Sequence, residues 1–433
     1  MTKTVILGSG MAAWGAYDCL TENGIQPTLF DAKPIPAGHT ASYRLDNGFI
    51  FDDGPHISFT TNEKIQNLFA EQVDGNFESF GAYVDNYYFG QWVEHPVIVN
   101  LNGLPTSLID QVLSDFKLVH GAEDPKIDNY LDWLVATYGK TYADEFPARY
   151  GKKYHTCSAE IMNTDWLGPR LYQPDLEEVE RGAYEQGSAN VHYVKKFRYP
   201  KKGGFQSYLD PFLEKSKPNL GFKAIEIDTS TKLVKFENGV IEKYSHLIST
   251  VPLPALIPII KDVPADVLAA SQRLACTQCV LVNVGVNRDD LSPATWRYIY
   301  DENIESVRLS FPHMLSPSVV PAGHGSVQVE LYYSDKYKPF DGDFEGAIET
   351  AVQDLITLGV LNNQEEIVYK EARLSPWANV IFDLDTNAAL EAVHGYLDEV
   401  GITYCGRYGE WAYIWTDESY LSGYNQTAKI LNR

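Results

Sequence analysis

Short apolar runs bounded by glycine and proline dominate this chain, with no single long amphipathic period. Val5-Ile6-Leu7 and Thr28-Leu29-Phe30 read as buried parallel strands, and residues 11–22 as the helix joining them. A loop rich in Pro, Gly and Ala fills residues 32–42, and Asn47-Gly48 then reads as a hairpin turn. Residues 63–71 have helical spacing, and residues 83–105 are strand-like around a turn expected at Asn102-Gly103. Residues 108–181 are mostly helical in pattern. The pair Gly203-Gly204 opens a helix to about residue 214. Strands are expected at residues 222–228, 233–236 and 240–243, at the buried run 247–252, and within 276–333. Residues 402–405 read as a strand, 406–411 as a loop, and Thr416 or Asp417 as the cap of a helix to about Leu431.

The first strand runs directly into Gly8-Ser9-Gly10-Met11-Ala12-Ala13, and the second ends at Asp31. Gly8 permits the tight turn out of a strand, Gly10 lets the backbone approach a pyrophosphate, and Ala13 allows the helix to pack close to the sheet. The pyrophosphate would sit at the positive helix end and Asp31 would accept hydrogen bonds from a ribose. An acidic residue there disfavours a 2′-phosphate, so FAD or NAD is preferred to NADP. No second glycine fingerprint is visible mid-chain, which favours an oxidase or dehydrogenase over a pyridine-nucleotide reductase.

Charge narrows the partners. With 35 Lys+Arg against 58 Asp+Glu, a net −23, the chain lacks the cationic surface that nucleic-acid binding needs. Five sparse cysteines and no leader pattern fit a cytoplasmic compartment, and no apolar run approaches a membrane span. Cys276-Thr277-Gln278-Cys279 stands without a second pair at zinc spacing, so core cysteines are expected and no metal site. The expected partner is a small-molecule substrate, with neither nucleic acid nor membrane, and a homodimer is compatible with the chain.

Five motifs in order resemble the FAD-dependent amine oxidase superfamily, in the branch similar to protoporphyrinogen oxidase and UDP-galactopyranose mutase. They are the fingerprint with Asp31, Asp53-Gly54-Pro55-His56, Tyr199-Pro200-Lys201-Lys202-Gly203-Gly204, Ser249-Thr250-Val251-Pro252, and Gly406-Arg407-Tyr408-Gly409-Glu410-Trp411. The resemblance covers essentially the whole chain. It implies an α/β fold with a discontinuous Rossmann-like FAD-binding domain (residues 1–75, 190–255 and 385–433). An inserted α+β substrate domain (76–189 and 256–384) would carry a helical insertion. The implied cofactor is noncovalent FAD, held by Gly8, Ser9, Gly10, Met11, Ala12, Ala13, Asp31, Ala32, Gly38, His39, Gly54, Pro55, His56, Ile225, Thr250, Val251, Gly406, Arg407, Trp415, Thr416 and Asp417. For Arg407 a salt bridge to Glu410 or Asp417 is an equal alternative, as a backbone-bonded turn is for His56.

The implied activity is that of an FAD-dependent oxidoreductase in which hydride passes from a small-molecule substrate to flavin N5. His56, Arg308 and Tyr413 are the candidate catalytic residues, His56 as a proton carrier near neutral pH. Tyr332, Trp377 and Trp411 are further candidate pocket residues. Two other readings stay open: a mutase-like flavin-dependent isomerase of a nucleotide sugar, and a noncatalytic FAD-binding subunit. The mutases hold a sugar diphosphate with two arginines. Arg308 falls where one would lie, whereas Cys157 holds the place of the other. Phe59 stands where the mutases carry a second histidine, and Ala412 where they tend to carry a lysine.

Overall fold

The computed structural model describes residues 3–120, 125–168, 171–185 and 196–431. Its first sheet is parallel and five-stranded, in the order Ile402–Tyr404, His246–Ser249, Thr4–Leu7, Thr28–Asp31, Asn219–Leu220. Ile6 stands between Ile248 on one side and Leu29 on the other. Val5, Ile6 and Leu7 are accordingly at most 3% exposed, as an all-apolar central strand must be. This is the Rossmann-type sheet that the opening strand, helix and strand predict.

Helix Met11–Glu22 crosses the last helix, Thr416–Leu431, at very close range. A Cβ on Gly15 would collide with the carbonyl oxygen of Tyr420, and one on Gly423 with that of Ala12. Bare backbone at both crossing points therefore sets the separation. Beside it Trp14 packs against Phe69, Phe212 and Tyr420, with ring centroids 5.7, 6.0 and 5.1 Å away.

The second sheet has seven strands in the order Ile367–Ser375, Gln278–Val286, Gly325–Tyr333, Arg308–Ser310, Trp296–Ile299, Val84–Tyr88, Gln91–Glu94. All pairings are antiparallel except that of Trp296–Ile299 with Val84–Tyr88. The period of two divides its faces. Val280, Val282, Val284, Val327 and Val329 share an apolar core with Ala351 and Leu355 of helix Phe344–Thr357. The alternate positions place Asn283 opposite Gln328, Leu281 opposite Glu330, and Arg308 opposite Glu330. A helical insert that includes Thr106–His120, Tyr130–Tyr138 and Arg149–His155 shares a further core around Phe116, Leu134 and Phe146.

Two local expectations are corrected. The first hairpin of the second sheet turns at Phe89-Gly90, with φ of 41° and 89°, whereas the turn predicted at Asn102-Gly103 forms, Leu104 N donating to the Leu101 carbonyl at 3.1 Å, but leads into helix Thr106–His120 and not into a strand. A two-residue turn of this kind needs positive φ at both positions, and a phenylalanine there hides the signal. Residues Gly406–Gly409 form a helical turn where the sequence predicts a loop. Leu253, Val267 and Ala270 share the core of Ala389, Val393 and Ile402 beside the parallel sheet. The boundary expected at 189–190 lies outside the described residues. Among the described residues no helix is long and apolar enough to cross a membrane.

Candidate active site

Gly8, at a φ of 120°, turns the chain out of the central strand. A Cβ there would collide with Thr250 Oγ1, which donates to the Leu7 carbonyl at 2.9 Å. The helix that follows starts at Gly10 with no side chain capping it and no acid in its first turn. A Cβ on Gly10 would stand 3.4 Å from the Ala37 carbonyl oxygen, and one on Gly38 3.3 Å from Gly10 Cα. Uncapped amides thus face a passage walled by bare backbone, which suits a pyrophosphate. Met11, Ala12 and Ala13 are buried under that passage. Asp31 accepts from Ser9 Oγ at 2.5 Å and from the Lys33 amide at 2.9 Å. Its oxygens retain lone pairs for a ribose, and the neighbouring Ala32 is exposed. Phe222 N donates to the Asp31 carbonyl at 2.8 Å, which places the strand Ala224–Asp228 nearby. Ile225 sits at an irregularity in that strand's pairing, 39% exposed.

The second wall is the loop from Asp52 to His56. Asp52 accepts from Ser42 Oγ (2.5 Å), Tyr199 OH (2.6 Å) and Phe205 N (3.1 Å), yet burial outweighs these donors and raises its carboxyl to about 6. For Asp53 the balance reverses. Burial opposes its charge, but His39, 3.7 Å away, and Lys33, at 3.0 Å, hold it at about 2. Gly54 takes a φ of 90° before Pro55, and its carbonyl is 2.8 Å from His56 Nδ1. Burial, with help from His39 and Arg407, pulls His56 down to about 3. Burial thus favours the neutral ring of His56 near pH 7. With Nδ1–H donated to Gly54, Nε2 is an acceptor.

His155, buried in the insert, is likewise pulled down by burial to about 3. At about pH 5, where an ordinary imidazole is mostly charged, His56 and His155 should be among the 10 histidines that still give neutral-ring signals by NMR. His56→Gln and His155→Gln should each remove one of them. The sign for stability follows. Both values lie below the unfolded value of about 6.5, so the stability they confer is full above it and is lost as pH falls toward about 3. The carboxyls of Asp18, Asp52 and Asp85, each raised to about 6 chiefly by burial, act in the opposite sense.

The third wall comes from the chain's last segment. Gly406 N donates to Ser422 Oγ at 2.7 Å, and a Cβ on Gly406 would stand 2.6 Å from Ala12 Cβ. Arg407 thus projects from a turn resting on the fingerprint helix. It donates from Nε to the Ile414 carbonyl (3.0 Å), and from Nη1 to the Ala378 carbonyl (3.2 Å) and Asn379 Oδ1 (3.4 Å). No carboxylate among the described residues pairs with it. The alternative salt bridge is absent because Glu410 accepts from Ser422 and Gln426 instead. Thr416 opens the last helix with Asp417 and Glu418 in its first turn, Glu418 accepting from Trp415 N at 2.8 Å. Those acids offset the positive helix end, so Arg407 is the principal cation here. Trp415 packs edge-on against Phe59 at 4.6 Å, a packing role for that departure from the mutase pattern. Val251 N donates to Ser249 Oγ at 3.2 Å, holding the Thr250-Val251 turn.

Opposite lies the polar face of the seven-stranded sheet. Arg308 is bound in bidentate fashion by Glu330, Nε to Oε2 at 2.8 Å and Nη2 to Oε1 at 2.7 Å, and Tyr332 OH donates to the same carboxylate at 2.9 Å. Tyr413 OH lies 2.7 Å from Tyr154 OH. The Trp377 carbonyl accepts from Tyr408 OH at 2.7 Å. Trp411 is 1% exposed among core residues, so it supports the loop and does not line a pocket. Cys157 is buried, and burial pushes its thiol, like that of Cys276, up to about 12. Among the described residues no group of three His, Cys, Asp or Glu could hold a metal. Sequence reasoning assigned no role to Lys33, Asp53, Tyr154 or Glu330. Asp53 left a trace within the Asp53-Gly54-Pro55-His56 motif, and Glu330 as a charged residue in a run that alternates with Val327, Val329 and Leu331.

Residues 6–72 match the model of an NAD(P)-binding Rossmann-like domain. The 15-cis-phytoene desaturase of Arabidopsis thaliana is 33% identical over 69 residues, 16% of this chain. That stretch spans only 12% of the desaturase's length. The solved structure of reduced UDP-galactopyranose mutase superposes with a TM-score of 0.92 at 25% identity, covering 100% of this chain and 94% of the mutase. A redesigned putrescine oxidase shares the fold at 14% identity and a TM-score of 0.64, covering 100% of this chain and 99% of that one. The chain carries an NAD(P)-binding Rossmann-like domain over residues 6–72, set within the fold it shares with UDP-galactopyranose mutase and putrescine oxidase.

Proposed function

We propose that the protein is an FAD-dependent oxidoreductase acting on a small molecule in the cleft between the fingerprint walls and the polar sheet face. The observation that carries this is the meeting of an uncapped helix start, Asp31 and Arg407 at one edge of the parallel sheet, where α/β folds bind dinucleotides. When bound, FAD supplies a two-electron acceptor whose reduced form carries negative charge. In this reading the amides after Gly10 hold the pyrophosphate and Asp31 the ribose, while Gly38, His39 and Gly54 line the passage. Arg407 faces the ring with a charge that no carboxylate cancels, which favours the reduced state. His56, neutral, offers Nε2 as an acceptor. In this reading FAD is held without a covalent link and is released by acid.

A second reading is favoured by the full-length likeness to the mutase: an isomerase of a nucleotide sugar that uses reduced FAD with no net redox change. An anaerobic visible spectrum separates the readings. Flavin bands present in the purified protein support FAD. Turnover of a UDP-sugar by dithionite-reduced protein, without reoxidation, favours the isomerase. Bleaching of the oxidised flavin by an amine, porphyrinogen or polyene favours the oxidoreductase, and a protein that refuses added FAD refutes both. Asp31→Ala removes the ribose acceptor, with an expected loss of about 2 kcal/mol in FAD affinity, or about 30-fold in Kd. Fluorescence titration of the apoprotein checks it.

A further inference from the structure

Helix Arg149–His155 grips both sides of the cleft through adjacent side chains. Lys153 Nζ donates to the carbonyl oxygens of Ile299, Asp301 and Ser306, each at 2.9 Å. Its three protons are thereby committed to the loop that leads into Arg308, which fixes the helix against the second sheet. One residue on, the Tyr154 ring packs on Tyr150 at 5.7 Å and against Tyr332 at 4.9 Å, so its hydroxyl is delivered to a defined point. That point is 2.7 Å from Tyr413 OH, on the segment that carries Arg407. The Tyr413 ring lies 5.0 Å from the Arg407 guanidinium carbon. A guanidinium seated on an aromatic face and carbonyl oxygens keeps its full charge for the site, and its aim depends on that seat.

We propose that Tyr154 is a positioning residue: its hydroxyl fixes Tyr413, Tyr413 seats Arg407, and the helical insert thereby sets how strongly the site favours reduced cofactor. This rests on the FAD reading above. The chain of contacts is short and polar at its joint, so deleting one oxygen tests it. Burial keeps the Tyr154 phenol neutral across the working pH range, so the joint is a hydrogen bond throughout.

The test is an anaerobic redox titration of FAD-loaded wild type, Tyr154→Phe, Tyr413→Phe and the double variant against a reference dye. At fixed dye poise, each single variant should lower the ratio of reduced to oxidised flavin about threefold, which is about 15 mV for a two-electron couple. The double variant should fall no further than either single, as expected for two ends of one bond. Tyr154→Met, which also lacks the hydroxyl, should give the same shift if Tyr154→Phe fails to fold. A merely structural role would lower the melting temperature and leave the ratio unchanged. A wild-type ratio in both Tyr154 variants, or shifts that multiply to about ninefold in the double variant, would overturn the inference. Protein that binds no FAD would overturn instead the cofactor reading on which it stands.

Discussion

Gly423→Ala is expected to destabilise the protein by about 3 kcal/mol and to weaken FAD uptake with it. The added Cβ meets the backbone oxygen of Ala12, not a side chain that could change rotamer, so either helix must move as a body. Ala12 lies within the fingerprint, in the first turn of its helix, and the same last helix supports Gly406 through Ser422. Moving one helix therefore disturbs two walls of the site together. Denaturant melts and FAD titration would measure the loss. Gly395→Ala supplies the control, because Gly395 lies inside helix Thr386–Val400 with nothing within 4 Å of its added Cβ. There the gain in helix propensity should stabilise by about 0.5–1 kcal/mol. If Gly423→Ala melts like wild type, the close helix crossing is not what fixes the site.

Glu330→Gln should cost about 3 kcal/mol, because it strands the Arg308 guanidinium and unsettles Tyr332. The carboxylate side chain is 1% exposed and the arginine 22%, so water relieves part of the stranded charge and keeps the loss at the lower end for a broken buried pair. Replacing the pair together, Arg308→Met with Glu330→Met, should bring stability back to within about 1 kcal/mol of wild type, since two charges then leave the interior at once. Equilibrium denaturation of wild type and the two variants measures this, and equal stability of the single and double variants would show that removing the stranded arginine restores nothing.

The nucleotide half of the fold was legible because each element had a local signal. Val5-Ile6-Leu7 could only be a buried strand, Gly8 and Gly10 only a tight phosphate turn, and Asn47-Gly48 matched its hairpin strands, Ser42–Arg44 and Ile50–Asp52. Phe89-Gly90 was not legible, because its positive φ values are imposed by the strands on either side and not by the residue types. The cleft was harder still. Arg308 stood out through the resemblance to the mutases, but its partner Glu330 is 22 residues away and that carboxylate's hold on Tyr332 arises only in the folded sheet. His56 was visible as a candidate, whereas its charge state depends on burial and on His39 and Arg407, which no spacing rule brings beside it. Tyr154 and Tyr413, 259 residues apart, could be joined only by the folded chain.

The parallel sheet pairs Thr4 with His246, and its outer strand arrives only at Ile402–Tyr404. During synthesis the fingerprint emerges hundreds of residues before its outer strand, and it has neither a completed sheet nor the wall bearing Arg407 until that strand has left the ribosome. Such distant pairing makes assembly slow and late. A nascent chain halted before residue 400 should hold no dinucleotide, so cofactor capture must wait for the strand and helix that follow that residue.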